Sequence, residues 1–466
     1  MDRVARLLNM KRGELSLALL AVVFNFCVLC GYYFLRPVRD AMGVSSGMDD
    51  LRWLFALTSV VSLIVVLAFG GVVARTNRRR FIPVAYGFVI VCLFGFAGLL
   101  IADGTSGGGL IGTEAQTVLS RMVGYTYFVW LSAINLFVTS LFWAFMVDLF
   151  DVDQGKRMFA FIGIGGTVGA LVGGWATVVI SGATESVYLP AGLMLVGAAL
   201  FAVAITVMLM LDRMAIASDH SRHSAGGSGA AAPEAISAAE PRIGGKFWDG
   251  MREVATSPYL LGIGIWVVLM AIANTMIYFT QATIILSNTD SFSQRVAGFG
   301  LFDALTQVAT LLTQMFVTTH VIKKMGVGWT LAILPVVTMA GFAILSVWTV
   351  FGVMAVFQAV HRATRYAMSR PARETLFSVL TPSEKYKAKP IVDVFLYRGG
   401  DLAGVGVDGL FAALGLTLGW VAAATVPLAG GWALLSRGLG RAQQQKVREA
   451  DARHSPAASA KSSVLR

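Results

Sequence analysis

Two arginines lie inside an apolar segment of the C-terminal half, where a charge requires an explanation. Residues 351–377 read FGVMAVFQAVHRATRYAMSRPARETLF, with Arg362 and Arg365 in the interior of the run. Their i, i+3 spacing places both side chains on one face of a helix. A charge deep in a bilayer costs roughly 2.5–3.5 kcal/mol even on a lenient scale. We therefore expect both guanidinium groups to face a water-filled cavity or a paired acid.

The next apolar segment adds charges of both signs, namely Asp393, Arg398, Asp401 and Asp408. Arg398 precedes Asp401 by one helical turn and can pair with it, and Asp401 and Asp408 share a face. Two interpretations stay open: an internal ion-pair network that holds this helix to the preceding one, or a cavity in which the arginines of both helices hold an anion. Because the planar guanidinium suits phosphate and carboxylate, the second interpretation predicts an organic anion as ligand.

The first apolar segment of the chain ends in another charged group. Residues 31–42 read GYYFLRPVRDAM and contain Arg36, Arg39 and Asp40. We expect Arg36 to anchor the end of a helix at the outer membrane interface. Arg39 and Asp40 are candidate site residues, because basic loop residues elsewhere collect on the opposite side of the predicted membrane.

A further acid, Asp148, stands within the apolar part of FWAFMVDLFDVD, residues 142–153. It is either a gating or coupling acid or a residue that caps the helix bundle through a loop arginine such as Arg157. Asn274, Gln281 and Asp303 are weaker candidates for lining a cavity. The predicted anion-binding residues are Arg39, Arg362, Arg365 and Arg398. The predicted gating or coupling residues are Asp40, Asp148, Asp393 and Asp401.

The composition requires a membrane to position these residues. The 466 residues are 56% hydrophobic and only 14% charged, against about 25% charged in soluble domains. The mean hydropathy is +0.71. Much of the net charge of +11 lies in short loops, so it reflects membrane topology rather than nucleic-acid binding. We expect a lipid bilayer and a small anionic molecule as partners, and neither a cofactor nor a metal ion.

Hydropathy predicts an all-α integral membrane protein with twelve transmembrane helices in a six-plus-six arrangement. The predicted spans are 15–35, 52–74, 81–102, 122–149, 158–181, 187–211, 258–286, 297–320, 329–348, 351–373, 390–412 and 414–436. The predicted parts of the chain are an N-terminal half at 1–212, a cytoplasmic linker at 213–257, a C-terminal half at 258–436 and a disordered cytoplasmic tail at 437–466. The basic loops place both termini in the cytoplasm, with the protein in the inner membrane.

The two halves resemble each other weakly. Residues 301–308, LFDALTQV, echo residues 54–60, LFALTSV. A parallel repeat of six helices is the plan of major facilitator transporters. In the fifth predicted helix Gly165, Gly169 and Gly173 form a ladder of small residues that lets two helix backbones approach closely.

Three segments resemble the ATP/ADP translocases of bacteria and plastids. LRPVRD (35–40) is similar to the L-R-x-x-K-D signature of that family, FWAFMVDLF (142–150) to its fourth helix, and EKYKAKPIVDVFLYRGGD (384–401) to a lysine-rich segment with the glycine-rich stretch after it. The resemblance implies a major facilitator fold and nucleotide exchange.

The resemblance also places three residues of this chain. It puts Arg39 at an essential helix-1 lysine of the family, Asp148 at a helix-4 glutamate, and Arg398 in a region with another important lysine. All three differences keep the sign of the charge.

Residues and resemblance together predict a non-enzymatic secondary transporter. It would move a nucleotide or a related organic phosphate between two six-helix bundles by alternating access. The alternatives are a major facilitator exporter of drugs or metabolites, and a membrane scaffold or sensor that has lost transport. The oligomeric state is left open.

Overall fold

The computed structural model describes residues 14–73, 78–108, 111–150, 152–225, 247–316 and 318–454, which are almost entirely helical. The α-helices in these ranges are α1 (Glu14–Ser45), α2 (Met48–Val73), α3 (Arg78–Thr105), α4 (Val118–Leu149), α5 (Val152–Ala183), α6 (Leu189–Ala225), α7 (Phe247–Thr256), α8 (Pro258–Ser287), α9 (Phe292–Phe316), α10 (Thr318–Val347), α11 (Phe351–Thr364), α12 (Arg370–Leu376), α13 (Pro382–Pro390), α14 (Tyr397–Ala413) and α15 (Leu418–His454). Two π-helical segments, Arg365–Ser369 and Ile391–Leu396, connect α11 to α12 and α13 to α14.

Ten helices in the described part of the chain are long and apolar enough to cross a membrane: α1 to α6, α8, α9, α10 and α15. The other two predicted spans, 351–373 and 390–412, coincide with segments that contain a π-helical turn: α11 to α12 with Arg365–Ser369 between them, and Ile391–Leu396 with α14. These two segments contain the charged residues that the sequence singled out in the C-terminal half. An all-helical membrane fold is therefore confirmed, and the count of twelve spans stays a prediction.

The described residues fall into two compact units. The first comprises Met1–Ser237 with Ile285–Gln307, and the second comprises Ala238–Ile284 with Val308–Arg466. The first unit thus contains α1 to α6 and the N-terminal part of α9. The second contains most of α8 and the helices from α10 onward.

Parts of the predicted linker and tail lie outside the described residues, namely 226–246 and 455–466. The predicted division of the chain into halves, linker and tail stays a prediction.

Several helices are longer than the sequence predicts, among them α6, α10, α1 and α15. α1 continues past Pro37 to Ser45, because a membrane helix packed among other helices tolerates the loss of one backbone donor. α15 continues to His454, into the segment expected to be disordered. The sequence there is rich in Ala, Gln, Arg and Lys, which favour helix, and buried Gln443 donates from Nε2 to the Thr375 carbonyl oxygen at 2.9 Å.

Aromatic packing around α1 forms the interior of the first unit. The ring of buried Phe24 lies 5.1 Å from Phe142 and 6.1 Å from Tyr86, in edge-to-face geometry. Such pairs contribute beyond the area that they bury. The Tyr86 hydroxyl donates to the Val138 carbonyl oxygen at 2.8 Å, so the polar end of this ring is also satisfied. α1 is thereby fixed against α3 and α4.

The second unit has a separate apolar core. Buried Trp266 of α8 packs against Trp432 of α15 at 5.4 Å, and its indole nitrogen donates to the Ser436 hydroxyl at 2.8 Å. Tyr259 donates to the Leu376 carbonyl oxygen at 2.9 Å and so attaches α8 to the end of α12. These contacts hold α8, which lies beside α14.

The glycine ladder of α5 is confirmed. A Cβ at Gly165 or Gly169 would collide with the carbonyl oxygen of Val22 or Phe26, and one at Gly173 would lie 2.6 Å from that of Cys30. α1 and α5 therefore touch through their backbones, as expected for a ladder of small residues. This contact fixes the position of α1, which carries the first group of candidate site residues.

We expect Gly169→Ala to destabilise the protein by about 1–3 kcal/mol, because the added methyl group needs space that the α1 backbone occupies. The unfolding midpoint of the detergent-purified protein measures the effect. Gly163→Ala is the matched control, since nothing lies near a Cβ at that position of the same helix. Equal midpoints for the two variants would contradict the close helix contact.

Candidate functional site

The first polar group surrounds the C-terminal part of α1. We call Arg36, Arg39, Asp40, Ser132 and Asp303 the α1 cluster; they come from α1, α4 and α9 and all belong to the first unit. Because α1 continues to Ser45, its three charged members stand inside a helix rather than in a loop. Their i, i+3 and i, i+4 spacing places Arg36 on the face of Arg39 and Asp40.

Arg39 contacts Asp40, Ser132 and Phe128. Its Nε donates to Asp40 Oδ1 at 3.0 Å and its Nη1 to Ser132 Oγ at 3.1 Å. The guanidinium carbon lies 5.3 Å from the centre of the Phe128 ring, a distance at which the ring face attracts a cation. The side chain is 12% exposed. α4 thus fixes the direction of this guanidinium.

Arg36 is not merely an interface anchor. Its Nη1 lies 2.9 Å from Asp303 Oδ1 and its Nε lies 3.8 Å from Asp40 Oδ2. The side chain of Arg36 is 15% exposed, and that of Asp303 only 3%. The cluster therefore combines two arginines with two buried carboxylates. The sequence alone predicts an interface anchor at Arg36 and a weaker cavity-lining candidate at Asp303, although the spacing of Arg36 from Asp40 already places these two on one face.

Asp148 lies away from this cluster. It is exposed, near the end of α4, and the sixteen residues from Ser132 correspond to about 24 Å along a helix. The structure thus brings Arg39 and Asp40 together and leaves Asp148 elsewhere in the same unit.

The second polar group lies where α11 ends and α14 begins, in the second unit. We call Arg362, Arg365, Tyr397, Arg398 and Asp401 the α14 cluster. Two glycines let α14 approach α8 closely. A Cβ at Gly400 would lie 2.6 Å from Ala271 Cβ, and one at Gly404 would lie 2.7 Å from Thr275 Cβ.

Arg365 has neutral partners. Its Nη2 donates to the Tyr397 hydroxyl at 2.8 Å, and its guanidinium carbon lies 5.4 Å from the Tyr366 ring centre and 5.8 Å from that of Tyr397. Within the described ranges, no carboxylate forms an ion pair with it. A guanidinium has five N–H donors and a permanent charge. Arg365 is therefore positioned by aromatic groups while its charge is left for another anion.

Arg362 extends the cluster toward α8. With the Gln358 amide turned so that its nitrogen donates to Gln281 Oε1 at 2.7 Å, its oxygen accepts from Arg362 Nη2 at 3.0 Å. Gln358 and Gln281 are both buried. Gln281, a weaker candidate of the sequence analysis, thus contributes to orienting Arg362.

Arg398 and Asp401 form an ion pair at 3.0 Å, and the Asp401 side chain is only 5% exposed. Both residues lie on α14, so this pair does not hold two helices together. Asp393 instead pairs with Arg373 of α12 at 3.2 Å, and Lys389 pairs with Glu374 at 2.6 Å. The ion pairs that join neighbouring elements therefore occur near α12 and the end of α13. They are separate from the Arg398–Asp401 pair, which lies within α14.

Similarity to solved structures defines the fold class. A point mutant of the nucleoside transporter NupG is 13% identical with a TM-score of 0.62, over 91% of this chain and 99% of that chain. A POT family transporter in complex with 5-aminolevulinic acid is 10% identical with a TM-score of 0.58, over 92% of this chain and 96% of that chain. At these identities the likeness shows the fold alone: a multi-pass, all-helical arrangement shared with these solved membrane transporters.

Sequence comparison identifies the family. The TLC ATP/ADP transporter family matches residues 3–353, and the chain belongs to this family. ADP,ATP carrier protein 1 of Chlamydia pneumoniae is 22% identical over 452 residues, 84% of this chain and 83% of that protein. The protein of the same name from Chlamydia muridarum is 21% identical over 444 residues, 84% of this chain and 81% of that protein. The predicted membership of this family is thereby confirmed.

We expect Arg398→Gln to lower stability by about 3–5 kcal/mol, because it leaves the Asp401 carboxylate buried without its partner. The double variant Arg398→Gln/Asp401→Asn should regain part of this loss, and a double-mutant cycle of unfolding midpoints measures the coupling. Arg52→Gln is the matched control: Arg52 also has an i, i+3 partner, but Asp49 is 97% exposed, so the shift should be much smaller. Additive effects of Arg398→Gln and Asp401→Asn would show that the two residues are not coupled.

Proposed function

We propose that the protein moves a nucleotide or a related organic phosphate across a bacterial inner membrane by alternating access, without chemical conversion of its cargo. Both termini would lie in the cytoplasm, as the basic loops favour. Arg39, Arg362, Arg365 and Arg398 would bind the anion. Asp40 and Asp401 would balance charge, and Asp148 and Asp393 would act in gating or coupling.

The observation that carries this proposal is the environment of Arg365. Its guanidinium is held by the Tyr397 hydroxyl and two aromatic rings rather than by a carboxylate. A cation inside a membrane protein is stabilised by an anion, and phosphate oxygens accept two parallel hydrogen bonds from the guanidinium fork. A phosphate group bound there would supply the charge that the neutral partners of Arg365 lack.

The α1 cluster supports the same ligand class. Arg39 is oriented by Ser132 and Asp40, and the resemblance of residues 35–40 to the family signature puts it at a lysine of the ATP/ADP translocases. Both side chains are cations that bind phosphate, but only arginine presents a planar fork. The family name and the names of the chlamydial relatives, ADP,ATP carriers, agree with a nucleotide as the anion.

Uptake into liposomes tests the proposal. Purified protein is reconstituted in vesicles loaded with ADP, and labelled ATP is offered outside together with a panel of organic phosphates, monocarboxylates and lipophilic cations. We expect saturable uptake of ATP or of another organic phosphate, competed by its unlabelled form. Uptake of a lipophilic cation instead would favour a drug exporter. Absence of binding and uptake of every compound would favour a scaffold or sensor.

We expect Arg365→Lys to raise the KM for the transported phosphate at least about tenfold, since a lysine ammonium is a point charge that cannot form two parallel hydrogen bonds. Initial rates of uptake against substrate concentration measure this change. Arg121→Lys is the control, because Arg121 is exposed near the start of α4 and should leave KM unchanged. An unchanged KM in Arg365→Lys would exclude Arg365 from the binding site.

Arg39→Lys has a different expected outcome. Because lysine is the family residue at this place, the variant should keep nucleotide exchange or increase it, whereas Arg39→Ala should lose most of it. The comparison uses exchange rates at equal amounts of reconstituted protein. Loss of exchange in both variants would mean that this site has adapted to arginine specifically, and full activity in both would remove Arg39 from the site.

A further inference from the structure

One buried carboxylate of the α1 cluster comes from a helix distant in sequence. Asp303 of α9 reaches Arg36 of α1 with a distance of 2.9 Å between Oδ1 and Nη1, and its side chain is 3% exposed. Asp40, the other carboxylate near Arg36, lies on α1 itself. If α9 moved away from α1, Asp40 would stay with Arg36 and Asp303 would not. Asp303 is thus the carboxylate of this cluster that a movement of α9 would remove from Arg36.

The contact belongs to a whole face of α9. Gly300, Asp303, Ala304 and Gln307 follow the i, i+3, i+4, i+7 spacing of one helix face. A Cβ at Gly300 would lie 3.1 Å from Val178 Cγ2, and a Cβ at Gly174 would lie 3.3 Å from the Ala304 backbone nitrogen. This face is thus packed closely on α5 as well as on α1.

The same face also carries an uncharged hydrogen bond. Gln307 Nε2 donates to the Tyr33 hydroxyl at 2.7 Å, one turn from Asp303. α9 therefore docks on α1 through one ion pair and one neutral hydrogen bond. The two contacts can be removed separately, which allows the role of the charge to be tested apart from the role of docking.

A carboxylate and a phosphate make the same kind of charge-assisted hydrogen bond to a guanidinium. The position opposite Arg36 can therefore be filled by Asp303 or by a phosphate oxygen of the cargo. Without either, two arginines would share Asp40 in a nearly dry environment, and an unpaired buried charge is strongly unfavourable. We infer that Arg36 joins the proposed anion-binding arginines, and that Asp303 replaces the phosphate of the cargo there, so that the empty protein can dock α9 and complete its cycle.

This inference rests on the proposed function and specifies which transport modes the protein should have. A strict exchanger must not pass through its cycle while empty. A carrier with an internal anion can pass through its cycle while empty. In this protein Asp303 would compensate the charge of Arg36 when no phosphate is bound. The protein should therefore catalyse net uptake of an organic phosphate as well as exchange, and Asp303 is the residue that separates these two modes.

The experiment compares two kinds of liposome that contain the same amount of protein. One kind is loaded with ADP and reports exchange; the other contains no nucleotide and reports net uptake of labelled ATP. Potassium with valinomycin holds the membrane potential at zero, since net entry of the anion would otherwise build up an opposing voltage. Wild-type protein is expected to show both activities.

Asp303→Asn should lower net uptake at least about tenfold and leave exchange within about twofold of wild type, because only the empty protein needs the internal anion. Gln307→Leu, which removes the neutral hydrogen bond from the same face, is the matched control and should leave the ratio of net uptake to exchange unchanged. Asp303→Glu keeps the carboxylate and should keep net uptake. Unfolding midpoints of all variants check that the proteins fold.

The failures are distinguishable. If wild type takes up no organic phosphate in either kind of liposome, the proposed function fails and this inference with it. If wild type shows exchange without net uptake, or if Asp303→Asn keeps the wild-type ratio or loses both activities equally, the inference alone is overturned. The wild-type measurement decides the question even if Asp303→Asn does not fold.

Discussion

A guanidinium inside a membrane protein has to be compensated in every state that the protein visits, and this constraint governs both polar clusters. Arginine stays protonated, so the protein can change only which anion or dipole lies opposite the charge. In the α1 cluster that group is a carboxylate, from Asp40 or Asp303. In the α14 cluster Arg365 has a tyrosine hydroxyl and aromatic rings. Carboxylates therefore lie opposite Arg36, whereas neutral groups contact Arg365.

Close helix packing makes this arrangement possible. Charged side chains can be held in fixed directions only where neighbouring helices are near, and glycines provide that proximity in both units. Gly169 and Gly173 bring α5 onto α1, and Gly400 and Gly404 bring α14 onto α8. Aromatic packing around Phe24, and between the tryptophans of α8 and α15, fixes these helices further. The glycines and the arginines are thus related, because a buried charged side chain keeps a fixed direction only when the helices around it are closely packed.

The sequence was sufficient for the membrane class and the family, and it drew attention to the arginines within apolar segments, because each of these depends on a local signal. Hydropathy identifies the spans, and a charge within an apolar run stands out without any knowledge of its neighbours. The glycine ladder was likewise readable from spacing alone. The interaction partners of the arginines could not be predicted from spacing. Arg36 with Asp303, and Arg365 with Tyr397, are joined by tertiary contacts between residues that are distant in sequence. The continuation of α1 past Pro37 was missed because proline usually ends a helix, whereas surrounding helices compensate for it here.

The interrupted helices around the α14 cluster follow from the same constraint. α11 and α14 each border a π-helical segment, Arg365–Ser369 and Ile391–Leu396. A π-helical turn inserts one residue into the helical repeat and rotates the side chains that follow it, and such turns are frequent at functional sites. Arg365 begins one of these segments and Tyr397 directly follows the other, so the two hydrogen-bonding partners sit at the points where the repeat changes.

If the chain continued as a regular α-helix through Arg365–Ser369, the side chains of Arg365 and Arg373 would point in different relative directions around the helix axis than they do now. Charged residues on both sides of the interruption could then not all keep their present partners. The irregular backbone is therefore what allows one chain segment to place Arg362 and Arg365 in the cluster while Arg373 pairs with Asp393 farther along.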